Sequence, residues 1–192
     1  MSISRTQIIL LVLIIALAIL FFYSRSASTP ESALTTSTSQ TISPANRLEF
    51  STLNPLYRFS AELDNGWRAE YVPTTEAINI YNQGAIGSNL EKSQIFIRYF
   101  NANDFLTLTT VNILSRESTS INGHDAVRYE IEKKAGVANF ANQPSWRSQR
   151  HSVVDIRFAE TNPSVFYVIA RNPSLSESDF EDFLQNTRFH ND

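Results

Sequence analysis

Cysteine is absent from this 192-residue chain, and glycine occurs only five times. Without cysteine there is no disulfide, no thiolate nucleophile, no Cys-ligated zinc and no iron–sulfur cluster. The acceptor that a bacterial lipoprotein needs for its lipid is missing too. Five scattered glycines leave no phosphate-cradling loop, and neither G-x-S-x-G, HExxH, Walker A nor a dinucleotide fingerprint occurs. Blocks of one charge are lacking as well. The longest basic run is Lys133-Lys134 and the formal net charge is −3, which does not steer a protein toward nucleic acid or acidic lipid. N-glycosylation acceptors are also wanting, because Asn162-Pro163-Ser164 and Asn172-Pro173-Ser174 each carry a proline in the forbidden place. That fits a bacterial rather than a eukaryotic secretory origin.

What the chain does have is an uninterrupted apolar stretch, Ile8 to Tyr23, "IILLVLIIALAILFFY", with no polar side chain until the terminal tyrosine. As a helix it would extend about 24 Å, a little short of the roughly 30 Å hydrocarbon core, with Gln7 and Ser24 able to complete it. The reading is a retained transmembrane signal-anchor over residues 1–23. The competing reading is a cleaved signal peptide ending at Ser26-Ala27-Ser28. Arg5 and Arg25 flank the stretch and give only a faint bias for a cytoplasmic N-terminus.

Ser24 to Asn46 carries twelve Ser or Thr in twenty-three residues, with two prolines. Such a composition cannot bury enough apolar surface to offset its ordering entropy, so residues 24–46 are expected to be a disordered tether, with a reach of about 25 to 30 Å. The folded domain is expected over residues 47–192, which is room for one domain.

Within it, Tyr57, Phe59, Ala61 and Leu63 alternate with polar neighbours, the period of a half-buried strand. A three-residue loop Asp64–Gly66 would return the chain as a hairpin, pairing Leu63 with Trp67, Ala61 with Ala69 and Phe59 with Tyr71. Further strands are expected at residues 77–82, 94–100, 126–133 (after an Asn122-Gly123 turn), 152–158 and 165–170. The last, "VFYVIA", is apolar on both faces and belongs at the centre of a sheet. Ser176 and Asp179 form a capping-box-like pair opening a C-terminal helix whose apolar face is Phe180, Phe183 and Leu184. Residues 105–114, "FLTLTTVNIL", satisfy strand and helix alike.

The expected fold class is therefore α+β: a mainly antiparallel sheet flanked by helices, preceded by one transmembrane helix and a disordered linker. The order of motifs resembles the PsbP-like α/β/α sandwich family. The likeness rests on the strand and turn ending in Gly66-Trp67, the central "INGHDAVRYEIEK", and the closing "PSVFYVIARN…FEDFLQNTRF". It spans about Leu56 to Phe189. Well-known members of that family are extrinsic lumenal subunits of photosystem II that help to retain calcium and chloride; similar domains occur in non-photosynthetic bacteria. The anchor and Ser/Thr tether depart from the photosynthetic pattern. What the resemblance implies is a non-enzymatic accessory domain, single-pass at the cell membrane, on the extracytoplasmic side.

The candidate binding residues are Trp146, Arg147, Arg150, His151 and Asp155. The loop "NFANQPSWRSQR" combines amide, aromatic and guanidinium groups with no acid. Trp and Arg dominate interface hot spots, and the arginines have the fork that grips carboxylate or phosphate. The plainer reading folds Trp146 and Phe140 onto the sheet and pairs the arginines with Glu130 or Glu132. His151, Asp155 and Arg157 would share a strand face, but His151 and Asp155 are about 13 Å apart along it, too far to ligate one ion without a third residue. A solvated charge ladder is the expectation there, and turn chemistry is expected at His124-Asp125. The leading function is a membrane-anchored accessory or binding module for a membrane or envelope protein complex. It contacts the bilayer through its N-terminal helix and involves no nucleic acid, no cofactor, no metal and no catalytic residue. The alternatives are a metal- or small-ligand-binding envelope sensor using His151 and Asp155, and an envelope hydrolase built on His124, His151 or His190.

Overall fold

A computed structural model describes residues 39–41, 47–102, 109–159 and 165–190. The apolar stretch Ile8–Tyr23 lies outside them, as does most of the tether and the first part of the ambiguous 105–114 segment. No helix among the described residues is long and apolar enough to cross a membrane.

Eleven strands and one α-helix make up the described part: β1 (Ser39–Thr41), β2 (Arg47–Glu49), β3 (Phe59–Glu62), β4 (Trp67–Val72), β5 (Ala77–Asn82), β6 (Ser93–Asn101), β7 (Val111–Ile121), β8 (His124–Lys133), β9 (His151–Ala159), β10 (Val165–Arg171), α1 (Glu177–Asn186) and β11 (Arg188–Phe189). Eight strands join in the order β1-β4-β5-β6-β10-β9-β8-β7, with every pairing antiparallel; β11-β3-β2 form a second, small sheet. Side-chain alternation divides the large sheet into two faces. Ile95, Ile97, Val154, Ile156, Tyr167 and Ile169 pack beneath α1 and the small sheet. Phe96, Val153, Phe166, Val168 and Ala170 form a separate cluster on the reverse face with Trp146.

This corrects the expected fold class. The structure is a sheet-rich antiparallel fold, not a sheet flanked by helices: one α-helix is present among the described residues, and it serves one face. The other face is covered by the connection from β8 to β9, which carries a single 3-10 turn at Ser145–Ser148. Val111 to Leu114, read as either strand or helix, begin β7, in keeping with their β-branched composition.

The expected hairpin also fails, for an instructive reason. The turn itself forms: Trp67 N–H donates to the Asp64 carbonyl at 3.1 Å and Gly66 has φ +88°, a value open to glycine at no steric cost. Its two strands then part. β3 pairs with β2 and β11, whereas β4 pairs with β1 and β5. Phe59 is needed in the aromatic layer between the sheets, stacked on Phe50 at 4.5 Å and edge-on to Tyr167 at 5.1 Å, and a hairpin would hold it in the large sheet. Two tyrosines fasten that layer. Tyr167 donates to the Leu56 carbonyl at 2.7 Å and accepts from Arg58 N–H at 2.9 Å; Tyr57 donates to the Glu76 carbonyl at 2.6 Å and accepts from Tyr99 N–H at 3.2 Å. Burial pushes the Tyr167 phenol up to about 12 and that of Tyr57 higher still, so both remain neutral donors at any physiological pH.

α1 follows its sequence signals. Ser176 caps it, its hydroxyl accepting from Asp179 N–H at 3.1 Å, and Phe180, Phe183 and Leu184 are buried. The other end is held from outside. Asn122, at φ +49° in the β7–β8 turn, donates its amide to the Leu184 carbonyl at 2.9 Å and the Thr187 carbonyl at 2.6 Å, satisfying carbonyls that a helix end leaves open. Asn122→Ala is expected to lower stability by about 1 to 2 kcal/mol, because it loses these bonds and strains a positive φ. Asn122→Gly should recover the backbone part only, and urea melts of the two variants separate the contributions.

Candidate functional site

The loop singled out by its composition turns most of its unusual side chains inward. Trp146 and Arg147, in the 3-10 turn after the buried Pro144, are each 5% exposed. The indole N–H donates to the Ser93 carbonyl at 3.0 Å, a carbonyl that also accepts from the Asn172 amide at 2.6 Å. The indole ring stands edge-on to His151, centroids 5.5 Å apart. Phe140 packs against the same cluster. The plainer reading of the loop describes these positions: aromatic side chains pin a long connection onto the sheet.

Arg147 departs from both readings. It donates Nη1 to His151 Nε2 and Nε to the Gln143 amide oxygen at 3.4 Å. Guanidinium is donor-only, so Nε2 accepts, and Nδ1–H therefore donates to the Gln149 carbonyl at 2.7 Å. The imidazole is thus held neutral, with both nitrogens engaged. Burial, then the charge of Arg147, depress its pKa from 6.5 to about 3. Burial and the neighbouring Arg98 charge push Arg147 down to about 9, which leaves it charged at neutral pH in apolar surroundings. A buried charge held by neutral partners is a poor source of stability. Arg147→Met/His151→Leu, which fills the space without the charge or an orphaned imidazole nitrogen, is expected to raise stability by about 1 to 3 kcal/mol; a lower urea midpoint would show that the guanidinium–imidazole pair holds the loop.

The remaining candidates are dispersed. Arg150 points outward, its side chain 67% exposed, with Nε on Glu130 at 2.9 Å; of the two arginines only this one takes the expected carboxylate. Asp155 does share the reverse face with His151, four residues along β9, but it is 1% exposed rather than part of a solvated ladder. Arg157 Nη2 donates to its Oδ2 at 2.8 Å, and the Arg157 guanidinium lies over the Phe166 ring at 4.0 Å. Burial raises the Asp155 pKa, against the opposing pull of Arg157. The structure brings Trp146, Arg147 and His151 together and leaves Arg150 and Asp155 apart, each with its own partner. His124 lies edge-on to Phe189 at 5.1 Å and His190 contacts Glu49 at 2.9 Å. Among the described residues no three His, Asp or Glu side chains converge as metal ligands.

Two features were missed from sequence. Glu70, 6% exposed, is held by amides: Asn89 Nδ2 at 3.0 Å and Asn79 Nδ2 at 3.4 Å. The larger omission is an open cleft of about 560 Å³ on the α1 side, between the Asp64–Gly66 turn and the helix. Leu63, Trp67, Ile95, Leu175 and Phe183 make its apolar wall; Glu62, Asp64, Asp179 and Asp182 supply carboxylates, and no lysine or arginine lines it. The only sequence signal was the spacing of Asp179 and Asp182, three apart on one helix face. Asp64 joins them from the turn between β3 and β4.

No family model and no curated protein matches the chain.

Proposed function

We propose that the protein is a membrane-anchored extracytoplasmic binding module. Ile8–Tyr23 holds it to the bilayer and its sheet-rich domain grips a partner protein of a membrane or envelope complex. The observation that carries this reading is the cleft. It is concave, apolar at its floor and open to solvent, as pockets that take a ligand group are, and its polar lining is carboxylate and amide, with no hydroxyl, imidazole or amine. The histidines on which a metal sensor or hydrolase would depend have protein partners. An accessory role is also what the motif resemblance to PsbP-like domains implies, but the helix-flanked sandwich of that family lends it no support, so the reading rests on the cleft.

The test is photo-crosslinking of the full chain in intact membranes. A photoreactive residue is placed at Asn65 on the cleft and, for comparison, at Gln149 in the connection over the other face. A discrete crosslinked product from position 65 alone supports a cleft-centred module. Products only from position 149 would move the site to the loop, and an unresolved smear from both would end the reading.

A further inference from the structure

The chemistry of the cleft narrows its occupant. Its carboxylates come from separate pieces of chain: Glu62 and Asp64 from β3 and the turn after it, Asp179 and Asp182 from the first and second turns of α1. Glu62 already has a partner, Arg47 Nη2 at 2.8 Å. Arg47 also donates Nη1 to the Asn186 carbonyl at 2.8 Å at that edge; the other three carboxylates have no lysine or arginine beside them in the lining. Helix-dipole stabilisation accounts for an acid in the first turn, as at Asp179, but the effect fades beyond it. It accounts for neither Asp182 nor Asp64. Like charges three residues apart on a helix repel, and setting them beside a third carboxylate adds to the repulsion.

These acids rim an apolar floor. Leu63, Ile95, Leu175 and Phe183 are buried, and Trp67 is half-buried, one side in the core and the other in the cleft. A free metal ion would leave that floor unused, and an uncharged polymer would leave the acids uncompensated. An extended peptide that alternates cationic and aliphatic side chains answers both demands: lysine or arginine at the rim, a leucine-sized side chain against Trp67 and Phe183.

We propose that the cleft formed by the Asp64–Gly66 turn and α1 is the docking site for a short basic, apolar-containing peptide segment of the partner protein. The proposal rests on the module reading above and assigns it a site and a recognition chemistry. Binding comes from two separable contributions, salt-sensitive attraction at the rim and apolar burial at the floor.

The experiment uses the full chain in nanodiscs of zwitterionic lipid, with empty nanodiscs as blank, and isothermal titration with three capped pentapeptides: alternating lysine and leucine, lysine and glycine, and glutamate and leucine. The lysine–leucine peptide is expected to bind. Its affinity should fall about five- to tenfold in Asp179→Asn/Asp182→Asn and fall again as salt rises from about 50 to about 300 mM. The lysine–glycine peptide should bind more weakly and the glutamate–leucine peptide not at all. Asp64→Asn, on a different element, should weaken binding in the same direction, and thermal melts confirm that each variant is folded. Failure of the lysine–leucine peptide to bind, equal affinity in the folded double variant, or equal binding of the acidic peptide overturns the proposal. The membrane crosslink separates this failure from that of the module reading: a product at position 65 that persists in the double variant keeps the module and removes the basic peptide.

Discussion

Trp146→Ala is expected to lower the stability of the domain by about 3 to 5 kcal/mol, the usual cost of removing a large buried aromatic side chain. The indole belongs to the reverse-face cluster with Phe96, Tyr129, Ile131 and Val153. Its removal opens a void under a connection whose only regular structure is one 3-10 turn. The lost hydrogen bond contributes less than the void, because the Ser93 carbonyl keeps the Asn172 amide. Trp146→Phe should therefore cost about 1 to 2 kcal/mol, retaining much of the packing. Urea denaturation followed by circular dichroism measures both, and a loss below about 1 kcal/mol for the alanine variant would show that the ring is not a structural pin. The result bears on functional experiments too. Loss of a partner in a Trp146→Ala chain would report unfolding as readily as recognition, whereas Arg150→Ala changes the loop surface without touching the buried cluster.

The second large effect is on acid stability. His151 has a folded pKa of about 3 against an ordinary value of 6.5. Because the folded value is the lower one, the unfolded chain binds a proton more readily. The contribution of His151 is fully present above about pH 6.5 and is lost as pH falls toward 3, with a total of several kcal/mol. Asp155 runs the other way. Its raised pKa gives a contribution present below its ordinary value of 3.8 and lost as pH rises through the folded one. A fall is therefore expected to set in below about pH 6.5, and between about pH 6.5 and pH 4.5 it measures the histidine with Asp155 as a partial offset. His151→Gln, which cannot titrate, should flatten the dependence of the urea midpoint in that window. A wild-type midpoint level from pH 7 to pH 4.5 would mean that the imidazole takes its proton without leaving the fold.

Much of the fold was legible where one face of a strand is buried. Val127, Tyr129 and Ile131 alternate with charged residues because only one set meets the reverse-face core, and the doubly apolar Val165–Ala170 lies between β6 and β9 as its composition required. β7 gave no such signal. Its polar half, "SRESTS", is exposed on both faces apart from a half-buried Thr119, so no alternation exists to be read. Pairing was harder than strand identity: the rhythm of Tyr57 to Leu63 marks a strand, but its partners are Arg47–Glu49 and Arg188–Phe189, distant in sequence. At the candidate site, the anchoring role of Trp146 was open to composition. The burial of Arg147 was not, since arginine is mostly exposed and nothing in the sequence marks His151, a candidate ligand or hydrolase histidine, as the acceptor for its guanidinium. The cleft was hidden because it is assembled from three separate stretches of chain.

The two margins of the large sheet are unequal. Among the described residues, β1 sets three residues against part of β4 at one margin, whereas β7 runs for eleven at the other. An added strand needs a long row of free amides and carbonyls, which a very short border strand does not supply. Among the described residues β7 therefore offers the longer row of open amides and carbonyls, and its "SRESTS" half, with Arg116 and Glu117, keeps that border polar and charged rather than apolar.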